Sequence, residues 1–173
     1  MAEKLKSRLR FNFGFLLESD LGTSREFELD YPELRVGSDV ELKPLQGSFQ
    51  VTRTSKGLYV QGRLESIIAA ECTRCLRPLR VPIVLELDDL YYHPPAGAPE
   101  GEFVIAEDGI LDLLPLVMEL SVLSIPMKLI CQGKCRGICA VCGQNLNQAL
   151  CTCEQEHIDP RMEAFRRLLD AEV

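Results

Sequence analysis

Eight cysteines are the residues of this 173-residue chain whose type and spacing could do chemistry. They fall into three groups: Cys72 and Cys75; Cys131, Cys135, Cys139 and Cys142; Cys151 and Cys153. Zn²⁺ takes four tetrahedral ligands, and a CxxC turn brings two sulfur atoms within about 4 Å of each other. Alternate residues of an extended segment face the same side, so a CxC pair can supply two more thiolates. The spacing therefore predicts a ribbon-like zinc site made by Cys139, Cys142, Cys151 and Cys153.

The four remaining cysteines could form a second zinc site. They are Cys72, Cys75, Cys131 and Cys135. The alternative is that they are simply buried, because a free cysteine packs as a small hydrophobic residue. A thioredoxin-like redox pair is disfavoured, since that motif needs a βαβ context and Cys72 and Cys75 lie in a predicted hairpin. The sequence therefore predicts one zinc ion and leaves a second one open.

A signal peptide at the start of the chain would change this interpretation, because secreted proteins enter oxidising compartments where cysteines form disulfides. Residues 1–10 are basic and residues 11–17 are mostly apolar, as in a signal peptide. However, Asn12 and Gly14 interrupt the apolar run, and no small-x-small cleavage site follows it. The longest apolar stretch, residues 113–130, contains two prolines and two charged residues, which argues against a membrane span. We therefore expect a cytoplasmic protein whose cysteines bind metal.

The first half of the chain has the period-two alternation of antiparallel β-strands. Residues 8–18 alternate in this way, as do the runs around Phe27, Phe49 and Leu58 and the segment 79–88. Pro82 predicts an edge or a bulge in the last of these strands, because proline cannot donate to the ladder. Two strands flank residues 72–78, which places the first CxxC at a hairpin tip.

The second half has the signals of two helices. Asp112 can cap a helix that Pro126 must end near Ser124, and this helix is apolar nearly all round, which predicts burial. Asp159 and Pro160 predict the start of a last, amphipathic helix with Met162, Phe165, Leu168 and Leu169 on one side. We therefore predict an α+β fold. An antiparallel β-rich domain with the hairpin CxxC and a buried helix occupies residues 1–127, and a zinc-ribbon-like segment closed by a short helix occupies 128–173.

Several ordered motifs resemble a known family. They are Glu71-Cys72-Thr73-Arg74-Cys75-Leu76, Asp108-Gly109-Ile110-Leu111-Asp112-Leu113, the run from Cys139 to Asn147 that leads to Cys151-Thr152-Cys153, and Ile158-Asp159-Pro160-Arg161. Over about residues 60–170 the chain resembles the YceD-like family of large ribosomal RNA subunit accumulation proteins. The resemblance implies a cytoplasmic, non-enzymatic protein that is needed for 23S ribosomal RNA to accumulate. It implies no particular molecular step.

Charge is distributed unevenly along this acidic chain, whose formal net charge is −7. Residues 83–127 carry nine acidic groups and no Lys or Arg, whereas the cysteine groups have basic neighbours. The candidate RNA contacts are Arg74, Arg77, Arg80, Lys128, Lys134 and Arg136. These cations could bind RNA, or they could offset the negative charge of zinc thiolates. The acidic segment could instead contact a basic ribosomal protein.

The sequence contains no motif that predicts an enzyme. It has no glycine-rich phosphate loop, no HExxH and no nucleophile elbow. We therefore predict a non-enzymatic assembly factor whose partners are a ribosomal precursor particle, 23S rRNA or a basic ribosomal protein, with no membrane and no small-molecule substrate. Two alternatives stay open: a zinc-ribbon regulator that binds nucleic acid, and a metal-handling or thiol-redox protein.

Overall fold

The computed structural model describes residues 9–37 and 40–153. Its contacts divide the chain into two compact units. The first unit comprises the chain up to residue 70 together with 78–129, and the second comprises 71–77 and the chain from residue 130 onward. The hairpin CxxC therefore belongs with the later cysteines, although the sequence-based division assigned it to residues 1–127. The helix predicted from Asp159 lies outside the described residues.

The first unit is built on an antiparallel sheet. Its elements are β1 (Arg10–Asn12), α1 (Gly14–Leu17), β2 (Ser24–Tyr31), β3 (Leu34–Val36), β4 (Val40–Thr54), β5 (Gly57–Glu71), β6 (Pro78–Tyr92), β7 (Ile110–Asp112) and α2 (Leu114–Leu123). The main sheet has the order β2-β4-β5-β6, and β3 pairs beside β2 along β4. Strands β2, β3 and β5 each run antiparallel to β4. Strands β1 and β7 form a separate antiparallel pair.

One face of the sheet carries the hydrophobic core, because successive side chains of a strand point to opposite faces. Strand β4 buries Leu45, Phe49 and Val51, and the alternate residues of β5 and β6 are buried in the same way. Leu16 of α1 and Val117 of α2 join this cluster. The strands that the alternation predicted around Phe27, Phe49, Leu58 and 79–88 are confirmed. Strand β6 is at the edge of the sheet, as Pro82 predicted.

The prediction of one strand over residues 8–18 is wrong beyond residue 12. The Phe13 N–H donates to the Gly109 carbonyl at 2.9 Å, and the chain then turns into α1. Leu16 is buried whereas Phe15 is 55% exposed, so the alternation of the strand does not continue past Phe13. The run is a short strand followed by one helical turn.

The helix α2 begins and ends as predicted but is not fully buried. The Asp112 carboxylate accepts a hydrogen bond from the Leu114 N–H at 2.9 Å, and Ser124 caps the other end. Its buried residues are Leu116, Val117 and Ser121. Met118, Val122 and Leu123 are 46%, 57% and 79% exposed. The prediction of a buried helix is therefore wrong for one side, because only the other side packs against the sheet.

Among the described residues, no helix is long and apolar enough to cross a membrane.

Candidate metal centre

The hairpin turn between β5 and β6 positions the first two cysteines. The Cys72 N–H donates to the Arg77 carbonyl at 2.8 Å, and the Leu76 N–H donates to the Cys72 carbonyl at 2.9 Å. Leu76 adopts a φ of 56°, in the left-handed region that a non-glycine residue seldom occupies. This tight turn brings the sulfur atoms of Cys72 and Cys75 to one side of the loop.

Four cysteines far apart in sequence meet at this turn. The Sγ atoms of Cys72, Cys75, Cys131 and Cys135 all lie within 4.8 Å of one another. The Cys72–Cys135 and Cys75–Cys131 sulfur pairs are 3.9 and 3.6 Å apart. Zn–S bonds of about 2.3 Å in a tetrahedron require S···S separations of about 3.8 Å. The cluster therefore has the size and ligand number of a tetrahedral metal site.

Hydrogen bonds from neighbouring groups hold this first cluster in place. The Cys131 N–H donates to the Cys72 sulfur at 3.4 Å, and the Arg74 guanidinium donates to the Cys135 carbonyl at 3.0 Å. The side-chain amide of Asn147 donates to the Cys135 sulfur at 3.4 Å. Such donors orient thiolates and stabilise their charge. Asn147 ends one of the motifs on which the family resemblance rests, but the sequence analysis gave it no role in the site, because cysteine spacing carries no signal for it.

The second cluster contains the cysteines of the predicted ribbon-like site. The Sγ atoms of Cys139, Cys142, Cys151 and Cys153 lie within 4.8 Å of one another. The Gly143 N–H donates to the Cys139 carbonyl at 2.9 Å, and Gly143 adopts a φ of 72° that favours glycine. The turn that contains the CxxC is therefore closed by the glycine after its second cysteine.

The thiols of the first cluster differ strongly in acidity. Burial raises the pKa of Cys72, but the backbone N–H groups of Arg74 and Cys75 help to outweigh it and lower the pKa to about 6. Burial and hydrogen bonding to Cys75 and Cys135 raise the pKa of Cys131 to about 12. Burial also raises the pKa of Cys135, but hydrogen bonds from the backbone N–H of Gly137 and the side chain of Asn147 help to outweigh it and lower the pKa, whereas the pKa of Cys75 is raised. Two thiolates are therefore favoured and two are disfavoured, and a bound cation would be needed for all four to be ionised together.

The second cluster has the same electrostatic pattern. The backbone N–H groups of Cys142 and Val141 lower the pKa of Cys139 to about 6. Hydrogen bonding to Cys142, burial and the neighbouring thiolates raise the pKa of Cys153 to about 12. The two clusters differ in exposure, since Cys142 is exposed whereas Cys72, Cys75 and Cys135 are buried. Each could hold a metal ion.

The residues of the second unit depend on these clusters for burial. The hydrophobic core cluster draws all its buried members from the first unit, between Leu9 and Val117. Among the described residues of the second unit, the buried side chains are those of Cys72, Cys75, Cys135 and Cys139. A unit with so little apolar core is of the kind that a structural metal stabilises. The chemistry of the donor set therefore fits a metal.

The six candidate RNA contacts are all exposed. They are Arg74, Arg77, Lys134 and Arg136 in the second unit and Arg80 and Lys128 in the first. Arg74 also has a structural contact, because its guanidinium binds the Cys135 carbonyl. Among the described residues of the second unit, the single acidic residue is Glu71. The exposure of the six Arg and Lys side chains is compatible both with RNA binding and with neutralisation of thiolate charge.

Comparison with protein families gives a match that includes every cysteine of both clusters. The family described as large ribosomal RNA subunit accumulation protein YceD matches residues 60–169. This is more than half of the chain. No solved structure gives a significant match.

Three relatives illustrate the extent of the similarity. An uncharacterized protein of Mycobacterium tuberculosis is 28% identical over 127 residues, which cover 71% of this chain and 61% of the relative. An Arabidopsis thaliana protein, named large ribosomal RNA subunit accumulation protein YCED homolog 1, chloroplastic, is 28% identical over 160 residues, 73% of this chain and 50% of the relative. The uncharacterized protein YlbN of Bacillus subtilis is 25% identical over 138 residues, 79% and 74% of the two chains. The match thus spans half to three fifths of the first two relatives.

Proposed function

The chain belongs to the YceD family of large ribosomal RNA subunit accumulation proteins, and from this membership we propose that it is a non-enzymatic factor of ribosome biogenesis. It acts in the cytoplasm and is required for 23S rRNA to accumulate during assembly of the large subunit. The observation that carries this proposal is the family match over residues 60–169. The printed name of the Arabidopsis relative supports it.

The two cysteine clusters serve this function as structural zinc sites. Each offers four cysteine sulfur atoms within 4.8 Å of one another, and four protein ligands leave Zn²⁺ no open position for substrate or water. Closed sites of this kind stabilise a fold and do not catalyse a reaction. Zinc ions at Cys72, Cys75, Cys131 and Cys135 and at Cys139, Cys142, Cys151 and Cys153 would therefore hold the second unit in shape, in a zinc-ribbon-like arrangement.

The factor works on a ribosomal precursor particle, through 23S rRNA, a basic ribosomal protein or both. The exposed cations Lys134 and Arg136 near the clusters support a local RNA contact. The net charge of −7 opposes RNA binding by bulk electrostatic attraction, which needs many clustered cations. A local contact on an assembling particle satisfies both observations.

Depletion of the protein in its host tests the proposal. We expect 23S rRNA and the 50S peak of a sucrose gradient to fall while 16S rRNA changes less, and a plasmid copy of the wild-type gene to restore them. A copy with Cys135→Ser and Cys139→Ser serves as the test of the zinc sites and should fail to restore them. Normal 23S levels and normal 50S peaks after depletion would contradict the proposed function.

A further inference from the structure

The helix α2 presents an apolar surface to solvent. We define the α2 patch as Met118, Val122, Leu123 and, just beyond the helix, Met127, whose side chain is 102% exposed. On a helix with about 100° per residue, positions 118, 122 and 123 fall within an arc of about 140°. Among the exposed residues of this arc, Glu119 is the charged one. Exposed apolar residues that share one side of a helix mark interaction sites more often than scattered ones do.

The patch is displayed by a helix that is held in place. The opposite side of α2 packs into the core through Leu116 and Val117. At its end, the Ser124 hydroxyl donates to the Val84 carbonyl of β6 at 3.1 Å. The exposure therefore belongs to a fixed helix and does not come from a frayed end.

Acidic residues accompany the patch. Glu119 lies on α2 itself, between the exposed apolar positions. Burial first, and then the charges of Asp88, Glu102 and Glu119, raise the pKa of Asp89, so each of these three carboxylates acts on Asp89. Residues 83–127 contain no Lys or Arg. Within the described ranges, the one ion pair made by an acidic residue of this segment is that of Asp112 with Arg10. A patch of methionine and aliphatic side chains thus lies beside an acidic cluster that has no cation of its own.

We propose that the α2 patch and the acidic residues near it, Asp89, Glu102 and Glu119, bind a basic amphipathic segment of a partner protein. Apolar side chains of the segment pack on Met118, Val122 and Leu123, and its Lys or Arg side chains pair with the carboxylates. Methionine side chains adapt to the shape of their partner. The identity of the partner rests on the proposed function, since proteins that bind rRNA are the basic chains such a factor meets.

The charges favour this occupant over the other candidates. RNA phosphates and anionic lipids carry the same sign as the acidic cluster and are repelled by it. A second copy in a symmetric contact would place the same patch on both subunits, so the two acidic clusters would face each other. A basic protein segment satisfies the apolar and the acidic part of the surface together.

Site-specific crosslinking of the full chain tests the proposal. The photo-reactive residue p-benzoylphenylalanine replaces Met127, and the probe is the mixture of proteins extracted from purified bacterial 50S subunits. We expect an RNase-resistant adduct with one basic ribosomal protein. The pair Val122→Ser with Leu123→Ser and the pair Glu102→Gln with Glu119→Gln should each lower its yield at least tenfold. An adduct with RNA or with a second copy, no adduct, or a yield that the two pairs leave unchanged would overturn the proposal.

Matched controls separate surface chemistry from folding. Leu21→Ser removes another exposed apolar side chain of the same unit, and Glu26→Gln with Glu28→Gln removes two exposed acids of β2. These variants should crosslink like the wild type, and the thermal midpoints of all variants should agree within a few degrees. A fall in yield in the controls as large as in the test pairs would also overturn the proposal.

Complementation distinguishes failure of this surface from failure of the proposed function. If depletion lowers 23S rRNA and the Val122→Ser, Leu123→Ser variant restores it fully, the docking surface is wrong and the assembly function stands. If depletion leaves 23S rRNA unchanged, the assembly function is wrong, and the crosslinking result still decides whether the surface binds a basic protein. We expect the variant to restore less than half of the 50S peak.

Discussion

At the scale of single residues, cysteine spacing predicted the local part of the candidate site and left the distant part open. Cys139 and Cys142 are joined by one turn, and spacing alone indicates that they bind the same metal ion. Cys72 and Cys135 are separated by 63 residues, so their proximity depends on the path of the whole chain. The contacts of Asn147 and Arg74 could not be predicted for the same reason, because both side chains contact Cys135, which only folding brings near them.

The number of zinc ions can be changed by single substitutions. We expect two zinc ions per wild-type chain in native mass spectrometry and one in both Cys135→Ser and Cys139→Ser, because each substitution removes a ligand from a different cluster. Asn147→Ala removes the hydrogen bond to the Cys135 sulfur together with those that the Asn147 side chain makes to Arg136, Asn145 and Gln132. All four metal ligands of the first cluster remain, so the variant should retain both ions but bind zinc about tenfold more weakly. A wild-type chain without zinc, or two ions in either serine variant, would contradict the assignment.

The role of the cations beside the clusters can be decided by the salt dependence of RNA binding. Replacing Lys134 and Arg136 by alanine should reduce the slope of log K against log salt for transcribed 23S rRNA by about 2, one for each phosphate contact. Arg25→Ala with Lys56→Ala removes two exposed cations of the first unit and should leave the slope unchanged. If the wild type does not bind at low salt, the cations offset thiolate charge and do not contact RNA.

At the scale of elements, alternation predicted the long strands well and the short elements poorly. Strands β4 to β6 have 15 residues each, so the alternation is clear even though the register of β4 shifts between Leu42 and Leu45. The segment around Phe13 is short, and its chain turns there from β1 into α1. Strand β7 has three residues, too few for alternation to be recognised. Burial of α2 was overestimated because composition does not show which side of a helix meets the sheet.

A close approach of β4 and β5 makes Gly62 necessary. A Cβ atom at Gly62 would lie 2.5 Å from the Phe49 Cα, so Gly62→Ala forces the two strands apart. We expect a loss of about 1–3 kcal/mol in the free energy of unfolding, as for an overpacked core, measured by urea denaturation. Gly97→Ala is the control, since its Cβ would meet no atom within 4 Å. Equal stability of the two variants would show that the strands can separate at no cost.

Asp89 should limit stability at neutral pH. Burial and the nearby acids raise its pKa in the folded state, so its charge destabilises the fold at pH above that pKa. Asp89→Asn should raise the free energy of unfolding by about 0.5 kcal/mol at pH 7, the usual size for a partly exposed charge. The gain should shrink as pH falls through the raised pKa and vanish below the pKa of the unfolded chain.

Thermal unfolding at several pH values checks this prediction, with Glu100→Gln as an exposed acid of the same segment for comparison. If Asp89 also belongs to a docking surface, the more stable variant should crosslink the basic partner less. A variant that is less stable at pH 7 would contradict the electrostatic account.

At the scale of the whole molecule, the two units are stabilised by different chemistry. The first has a continuous hydrophobic core, and the second buries little except cysteine side chains. The sequence predicted a β-rich part and a cysteine-rich part. The assignment of residues 71–77 to the second unit depends on long-range contacts that a linear division of the chain cannot express.

Removal of metal should therefore affect the two units unequally. In hydrogen–deuterium exchange with EDTA, we expect residues 131–151 to lose protection, since metal binding supplies about 10–16 kcal/mol in small zinc domains. Amides of β4 and β5 should stay protected because their side chains belong to the apolar core. Added zinc should restore the original exchange pattern. Loss of protection throughout the sheet, or none in the second unit, would contradict this division.

The first cluster also has a consequence for the order of events during synthesis. Cys72 and Cys75 emerge from the ribosome together with the strands they connect, but Cys135 is added 63 residues after Cys72. At about 5–20 residues per second, Cys72 waits roughly 3 to 13 s for this partner. All the strands and α2 have been translated by then. For several seconds the nascent chain therefore carries two of the four ligands of the first cluster. This site can bind zinc with all four thiolates only when translation is nearly complete.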